Sequence, residues 1–202
     1  MVLLELDTRN KKKISIIMRL EELYNTRKYY TDKGDTHDYI KGYYENEFKD
    51  RNKSTRLLEV GMGLEGGSID LWLDWFTDRS ITLVEFDKNL VEYYKTKRGK
   101  QQALTIINKS AYEQSTINEF PNDYFDYIID DGPHTLQTQL YFIKNWLPKV
   151  KLGGKLIVED VQDIRWIKEF DLVHNQPHKT YDLRYSKGRY DDIIYEITKN
   201  NK

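Results

Sequence analysis

The chain has 202 residues, enough for one domain with a substantial core and short for two. Its 32 basic and 33 acidic residues are well mixed and give a net charge of -1, so no polyelectrolyte field points to nucleic acid or an anionic membrane. Zero cysteines exclude a disulfide framework, a thiolate zinc site and a cysteine nucleophile.

The opening stretch, MVLLELDTRNKKK, sets a short apolar start before a charged run, the reverse of a secretory signal. No apolar run approaches the length that spans a bilayer. The expectation is a soluble, cytoplasmic protein with no membrane partner.

Ile16, Leu20 and Leu23 recur at helical spacing, which predicts an amphipathic helix over residues 11–26. A polar, tyrosine-rich segment follows, YTDKGDTHDYIKGYYENEF. Its His37, Tyr39, Tyr43 and Tyr44 suit either a lid over a ligand or a short helix packed through its tyrosines on a sheet. Short β-rich runs then alternate with helical patterns. RLLEV (56–60), ITLVE (81–85), ALTII (103–107), DYIID (126–130) and KLIVED (155–160) read as strands. Ile69, Trp72, Leu73 and Phe76 mark the helix after the first strand, and Leu136, Leu140, Ile143 and Leu147 the helix after the fourth. Gly153 and Gly154 supply a turn into the fifth strand. TYDLRY (180–185) and DIIYEI (192–197) flank SKGRYDD and suit a carboxyl-terminal antiparallel hairpin. The alternation argues an α/β fold with a doubly wound, mostly parallel sheet.

LLEVGMGLEGGS follows the first strand, and its Gly61, Gly63 and Gly66 satisfy G-x-G-x-x-G. Spacing alone makes this a dinucleotide fingerprint. Glu59 at the strand end and Glu65 in the loop would repel a pyrophosphate, yet they suit a ligand with an ammonium group, such as S-adenosylmethionine. Glycine remains necessary where a side chain would block the ligand's approach. Glu85 ends the second strand, where an acid accepts hydrogen bonds from ribose hydroxyls, with Asp87 as the nearby alternative.

Asp130 and Asp131 close the fourth strand, and Glu159 and Asp160 close the fifth. Adjacent parallel strands lie ~4.8 Å apart, so acids at two strand ends can share one cation. Hard oxygen donors point to Mg²⁺, or to Mn²⁺ or Ca²⁺. Such an ion would chelate an acceptor's hydroxyls and lower a hydroxyl pKa, and His134 at the strand-to-helix junction is placed to remove the proton. The plainer reading is that Asp131 or Pro133 caps the next helix.

Together, LLEVGMGLEGGS, LVEFD, YIIDDGPH and LPKVKLGGKLIVEDV resemble class I S-adenosylmethionine-dependent methyltransferases, most of all the macrocin and mycinamicin sugar O-methyltransferases. The TDK…H-x-Y…YE element before the first strand extends the resemblance over about residues 30–162. It implies a seven-stranded Rossmann-like methyltransferase domain over 51–202, preceded by a helical or lid segment over 1–50, in one compact unit. It also implies Asp131, Glu159 and Asp160 as metal ligands, and Asp131 and His134 as catalytic residues with His134 the general base. Glu59, Gly61 and Gly63 would contact the methionine part of the cofactor and Glu85 its ribose, with Ser110 and Asp130 completing that site. Ser110 stands where many relatives carry an Asp toward the adenine amine, and Pro133 replaces the family's usual Ser.

The activity so implied is O-methylation of a hydroxyl on a sugar or other vicinal-diol small molecule or glycan, with S-adenosylmethionine and a divalent cation as cofactors and a homo-oligomer as an open expectation. Three alternatives stand beside it. A nucleic-acid methyltransferase lacks support, since there is no Asp-Pro-Pro-Tyr-type motif and no basic stripe. A catalytically silent cofactor-binding module would share the fold. A nicotinamide oxidoreductase rests only on Gly61, Gly63 and Gly66.

Overall fold

The computed structural model describes residues 18–27, 29–63 and 65–201. One sheet contains seven strands: β1 Thr55–Val60, β2 Arg79–Val84, β3 Leu104–Ile107, β4 Phe125–Asp130, β5 Val150–Val158, β6 His178–Asp182 and β7 Ile193–Thr198. Their order is β3-β2-β1-β4-β5-β7-β6. The first five run parallel, and β7 is antiparallel to both β5 and β6. The doubly wound sheet and its carboxyl-terminal hairpin are as the sequence implies.

Alternation along β1 explains the layering. Leu57 enters one core with Ile69, Trp72, Phe76, Leu83 and Ile129, while Leu58 enters the opposite core with Ile128, Phe142, Trp146 and Leu156. Leu20, Leu23, Tyr39, Tyr43, Tyr44 and Phe48 belong to the first core, so the segment ahead of β1 is built into the sheet's covering layer. Leu20 and Leu23 lie on the helix Leu20–Thr26. Residues 11–17 of the expected helix, including Ile16, lie outside the described residues.

Strand bounds differ from expectation by one or two residues at several ends and more widely at β5 and β6. β5 begins at Val150 and passes through Gly153 and Gly154, where the pairing with β4 shifts register. Gly153 has φ 75°, so these glycines form an irregularity inside the strand instead of a turn before it. β2 and β5 stop at Val84 and Val158, which leaves Glu85, Glu159 and Asp160 just past the sheet. The sixth strand occupies His178–Asp182, because Arg184–Lys187 coils into a short helix ended by Gly188 at φ 74°. Among the described residues, no helix is long and apolar enough to cross a membrane.

The chain leaves β1 toward β2 and β3 on one side and places β4 and β5 on the other. A crevice at the carboxyl ends of β1 and β4 follows from that reversal of direction, and such crevices are where open α/β sheets bind ligands.

Candidate functional site

Gly61, directly after β1, has φ 84°, and a Cβ built there would lie 2.1 Å from the Asp131 carbonyl oxygen. Only glycine lets the β1 loop pass this close to the end of β4. Gly67, at the start of the helix Gly67–Trp75, does the same for the amino-terminal segment, since its Cβ would meet the Tyr30 backbone at 2.3 Å. After β4, Thr135 caps the helix Leu136–Trp146 by accepting the Thr138 N–H at 3.2 Å. Neither Asp131 nor Pro133 does the capping, and His134 precedes the helix at φ 53°.

Three of the strand-end acids converge around Lys33 of the TDK element, to which sequence reasoning gives no role. Lys33 is 1% exposed, and its Nζ donates to Asp131 Oδ2 at 2.8 Å and to Glu159 Oε2, with Glu59 Oε1 at 3.5 Å. Tyr44 donates to Glu159 Oε1 at 2.7 Å, so both Glu159 oxygens are engaged. Glu59 is buried and accepts from Ser68 Oγ at 2.7 Å and Trp72 Nε1 at 2.5 Å. Its carboxylate therefore faces inward, to Lys33 and the helix behind β1. Asp160 accepts from the Tyr39 hydroxyl at 2.6 Å through Oδ1, with His37 Nδ1 at 3.6 Å and in turn 3.3 Å from Asp192.

Two carboxylate oxygens are left facing His134. Its Nε2 lies 3.4 Å from Asp160 Oδ2 and 3.7 Å from Asp131 Oδ1, and its buried Nδ1 has no hydrogen-bond partner among the described residues. Asp131, His134 and Asp160 offer ligating atoms within 4.8 Å of one another. Three carboxylates thus meet one ammonium, with Asp160 a fourth beside them, a surplus of negative charge that suits a divalent cation with hard oxygen ligands. Asp131 and Asp160 fit that role as they stand. Glu159 fits it only if Lys33 yields.

The titration directions carry the same imbalance. Burial works against the Asp131 carboxylate, yet Lys33 and His134 hold its pKa below the usual value. Burial drives Glu159 well above the usual range against the pull of Lys33, with Asp131, Glu59 and Asp160 adding to the rise. Asp160 is raised by burial and then by Asp131. Burial alone would lower Lys33, but Asp131, Glu159 and Glu59 together hold it well above its ordinary value.

Two cavities adjoin this cluster. One, of about 640 Å³, is lined by Gly61, Gly63, Glu85, Phe86, Leu90, Ser110 and other residues. Each Glu85 oxygen accepts a backbone N–H, from Met62 at 3.2 Å and Asp87 at 2.8 Å, which fixes the carboxylate at the cavity wall. The second cavity, of about 630 Å³, has Asp32, Asp35, Glu65 and His134 among its walls. The two share Met62, Gly63, Asp131 and Gly132.

Of the expected site residues, Gly61, Gly63, Glu85 and Ser110 come together at the first cavity, and Asp131, His134, Glu159 and Asp160 at the acid cluster. Glu59 and Asp130 line neither cavity. Asp130 accepts the Tyr112 hydroxyl at 2.5 Å and is pushed up to about 7 by burial. Lys33, Tyr39 and Tyr44 all lie in the TDK…H-x-Y…YE element, but sequence reasoning gives Lys33 no role and does not pair either tyrosine with an acid; the excess of strand-end acids is the signal that calls for a buried countercharge. His174 and His178 stand apart with Asp171 and Tyr195.

No family model matches the chain. It is 25% identical over 150 residues to demethylmacrocin O-methyltransferase of Streptomyces fradiae, and 27% identical over 149 residues to mycinamicin VI 2''-O-methyltransferase of Micromonospora griseorubida. These alignments take in 70% and 69% of this chain but 36% and 35% of the relatives, so the chain spans about a third of their length. Among solved structures, the MycE methyltransferase of mycinamycin biosynthesis, in complex with Mg, SAH and mycinamycin VI, aligns with a TM-score of 0.68 at 18% identity. That alignment covers 93% of this chain and 56% of that one. Fibrillarin of Aeropyrum pernix with bound S-adenosyl-L-methionine aligns with a TM-score of 0.59 at 15% identity, over 73% and 68% of the two chains. The fold is that of class I S-adenosylmethionine-dependent methyltransferases, and the likeness to the macrocin and mycinamicin enzymes extends beyond the motifs to most of the chain.

Proposed function

We propose that the chain is an S-adenosylmethionine-dependent O-methyltransferase, assisted by a divalent cation, that acts on a hydroxyl of a sugar or another vicinal diol. The observation that carries this reading is the shared wall of the two cavities. A cofactor and an acceptor seated on either side of Met62, Gly63, Asp131 and Gly132 would meet beside His134.

S-adenosylmethionine supplies an electrophilic methyl group, and a cation held by Asp131 and Asp160 lowers the pKa of an acceptor hydroxyl. The residues of the chain do the rest. Gly61 and Gly63 leave the loop backbone open to close approach, Glu85 presents its remaining lone pairs to ribose hydroxyls, and Phe86 and Leu90 give an adenine ring apolar walls. Ser110 lines the same end of the cavity. His134 takes the hydroxyl proton on Nε2, and Asp160 and Asp131 beside it stabilise the imidazolium that results. The described part of 1–50 forms one wall of the acceptor cavity through Tyr30, Thr31, Asp32, Asp35 and Thr36, while 51–202 carries the cofactor.

Similarity to the 8-demethyl-8-alpha-L-rhamnosyl tetracenomycin-C 2'-O-methyltransferase of Streptomyces olivaceus, 22% identical over 144 residues, supports a sugar hydroxyl as the acceptor here. Asp32, Asp35, Glu65 and Asp131 around the acceptor cavity disfavour a phosphate backbone, which counts against nucleic acid.

Calorimetry tests the reading. S-adenosylmethionine should bind and NAD should not, and a separate Mg²⁺ heat should vanish in Asp131→Ala. NAD binding, or an unchanged Mg²⁺ heat in the variant, would sink it.

A further inference from the structure

Three carboxylates surround Lys33 Nζ: Asp131 at 2.8 Å, Glu159 at hydrogen-bond contact and Glu59 at 3.5 Å. Two of the ammonium's N–H groups donate hydrogen bonds, to Asp131 and Glu159, and Glu59 adds a third negative charge beside it. Its backbone is also pinned, since the Lys33 carbonyl accepts the Ile40 N–H at 3.0 Å. Lys33 is therefore a fixed charge built into the strand ends.

A divalent cation needs the same oxygens. Mg²⁺ binds oxygen at about 2.1 Å and demands near-octahedral geometry, so an ion that draws on Asp131 and Glu159 together would have to occupy the volume that holds Lys33 Nζ. Both groups are positive, and at such separations in a buried site their repulsion is large. Of the oxygens of Asp131, Glu159 and Asp160, those engaged by none of Lys33, Tyr39 and Tyr44 are Asp131 Oδ1 and Asp160 Oδ2, on the His134 side.

We propose that Lys33 is a positioning residue that competes with a divalent cation for Asp131 and Glu159, and so sets how tightly the strand-end cluster holds that ion. This inference rests on the reading of the cluster as a cation site. Lys33 shares the segment whose Tyr30, Thr31, Asp32, Asp35 and Thr36 line the acceptor cavity, so ion and cavity wall are linked through one side chain.

The test is Mn²⁺ titration followed by the electron paramagnetic resonance of the free ion. The wild type should bind Mn²⁺, and Asp160→Asn should lose it. Lys33→Met should bind about tenfold more tightly or better, because a competing charge is gone, whereas Lys33→Arg should stay near wild type. A side chain that merely holds the fold together would do the opposite, loosening the site when removed. If Lys33→Met does not fold, Lys33→Met combined with Glu59→Gln removes one charge of each sign, leaves Asp131, Glu159 and Asp160 in place, and should tighten binding likewise. Tightening supports competition, and so does binding that appears only in the Lys33 variants. Wild-type binding with equal or weaker binding in the variants overturns it while the cation reading stands. No Mn²⁺ binding to any of these proteins overturns both.

Discussion

His134 Nε2 lies 3.4 Å from Asp160 Oδ2, and both residues adopt left-handed backbone conformations, with φ of 53° and 51°. Such conformations cost L-residues on the order of 1 kcal/mol or more each, and they persist where surrounding structure over-determines them. Here the over-determination is visible. Gln139 donates to the Glu159 carbonyl at 2.9 Å, and Tyr39 accepts the Asp160 N–H at 3.2 Å.

Asn tolerates positive φ better than most residues. His134→Asn should therefore fold with a thermal midpoint close to wild type. Turnover should fall on the order of 10²-fold or more, the usual worth of a general base, while S-adenosylmethionine affinity stays put. Methyl-transfer assays and calorimetry on the same preparation check both halves, and full activity in the variant removes His134 from the base role.

Two glycines of one loop should behave differently. A Cβ on Gly61 would sit 2.1 Å from the Asp131 carbonyl oxygen, whereas one on Gly63 would meet nothing within 4 Å, and both have positive φ. Gly61→Ala has to push β1 and β4 apart at the crevice as well as bear the backbone strain. Gly63→Ala bears only the strain, about 1 kcal/mol. Denaturant unfolding should place Gly61→Ala well below Gly63→Ala in stability, and equal losses would mean that the Asp131 contact is relaxed at little cost.

The sheet is legible in the sequence because a two-residue period differs from a helical one, and the strands are short, β-rich and separated by helical patterns. The beginning of β5 is not, because Gly153 and Gly154 read locally as a turn, and only their exchange of hydrogen bonds with Lys199 carries the strand past the left-handed backbone of Gly153. Asp131, His134 and Asp160 were readable because strand ends of a doubly wound sheet converge in one crevice. The pairing of Lys33 with those acids was not, since Asp131 and Glu159 are 98 and 126 residues away and its neighbours Asp32 and Asp35 make it look like a surface lysine. The hydrogen bonds of Glu59 to the helix behind β1 are hidden from the sequence for a related reason. Trp72 marks a helix face by its apolar ring, and the indole N–H that claims a Glu59 oxygen has no signature in hydrophobic periodicity.

That indole yields a stability prediction. Trp72→Phe keeps most of the buried ring volume in a core with Tyr44 and Phe48 but removes the donor to Glu59 Oε2. A buried carboxylate oxygen left without its partner costs about 1–3 kcal/mol, more than the change in ring size alone. Combining it with Glu59→Gln should not add the two losses, because both act on one hydrogen-bonded unit. Denaturant unfolding of the two single variants and the double variant measures the coupling, and strict additivity would mean that Trp72 acts only through packing.

His174 supplies a pH dependence that is independent of the site. Its Nδ1 accepts the Gln176 N–H at 3.1 Å, so the neutral ring carries its proton on Nε2 and donates to the Tyr195 hydroxyl at 2.7 Å, which donates to Asp171 at 2.7 Å. Burial, then the neighbouring His178, lowers the His174 pKa from its ordinary value of 6.5. The unfolded chain takes up a proton as pH falls through about 6.5, while the folded chain resists until a lower pH. Stability contributed by the neutral ring is thus complete above about 6.5 and is lost as pH drops toward the folded-state pKa. His174→Gln should unfold with a flatter dependence between pH 7.5 and 5.5 than the wild type. An NMR titration of the His174 ring should give a midpoint below that of an exposed histidine, and a midpoint at or above it would mean that the ring is charged in the fold and that the Nε2–Tyr195–Asp171 chain runs differently.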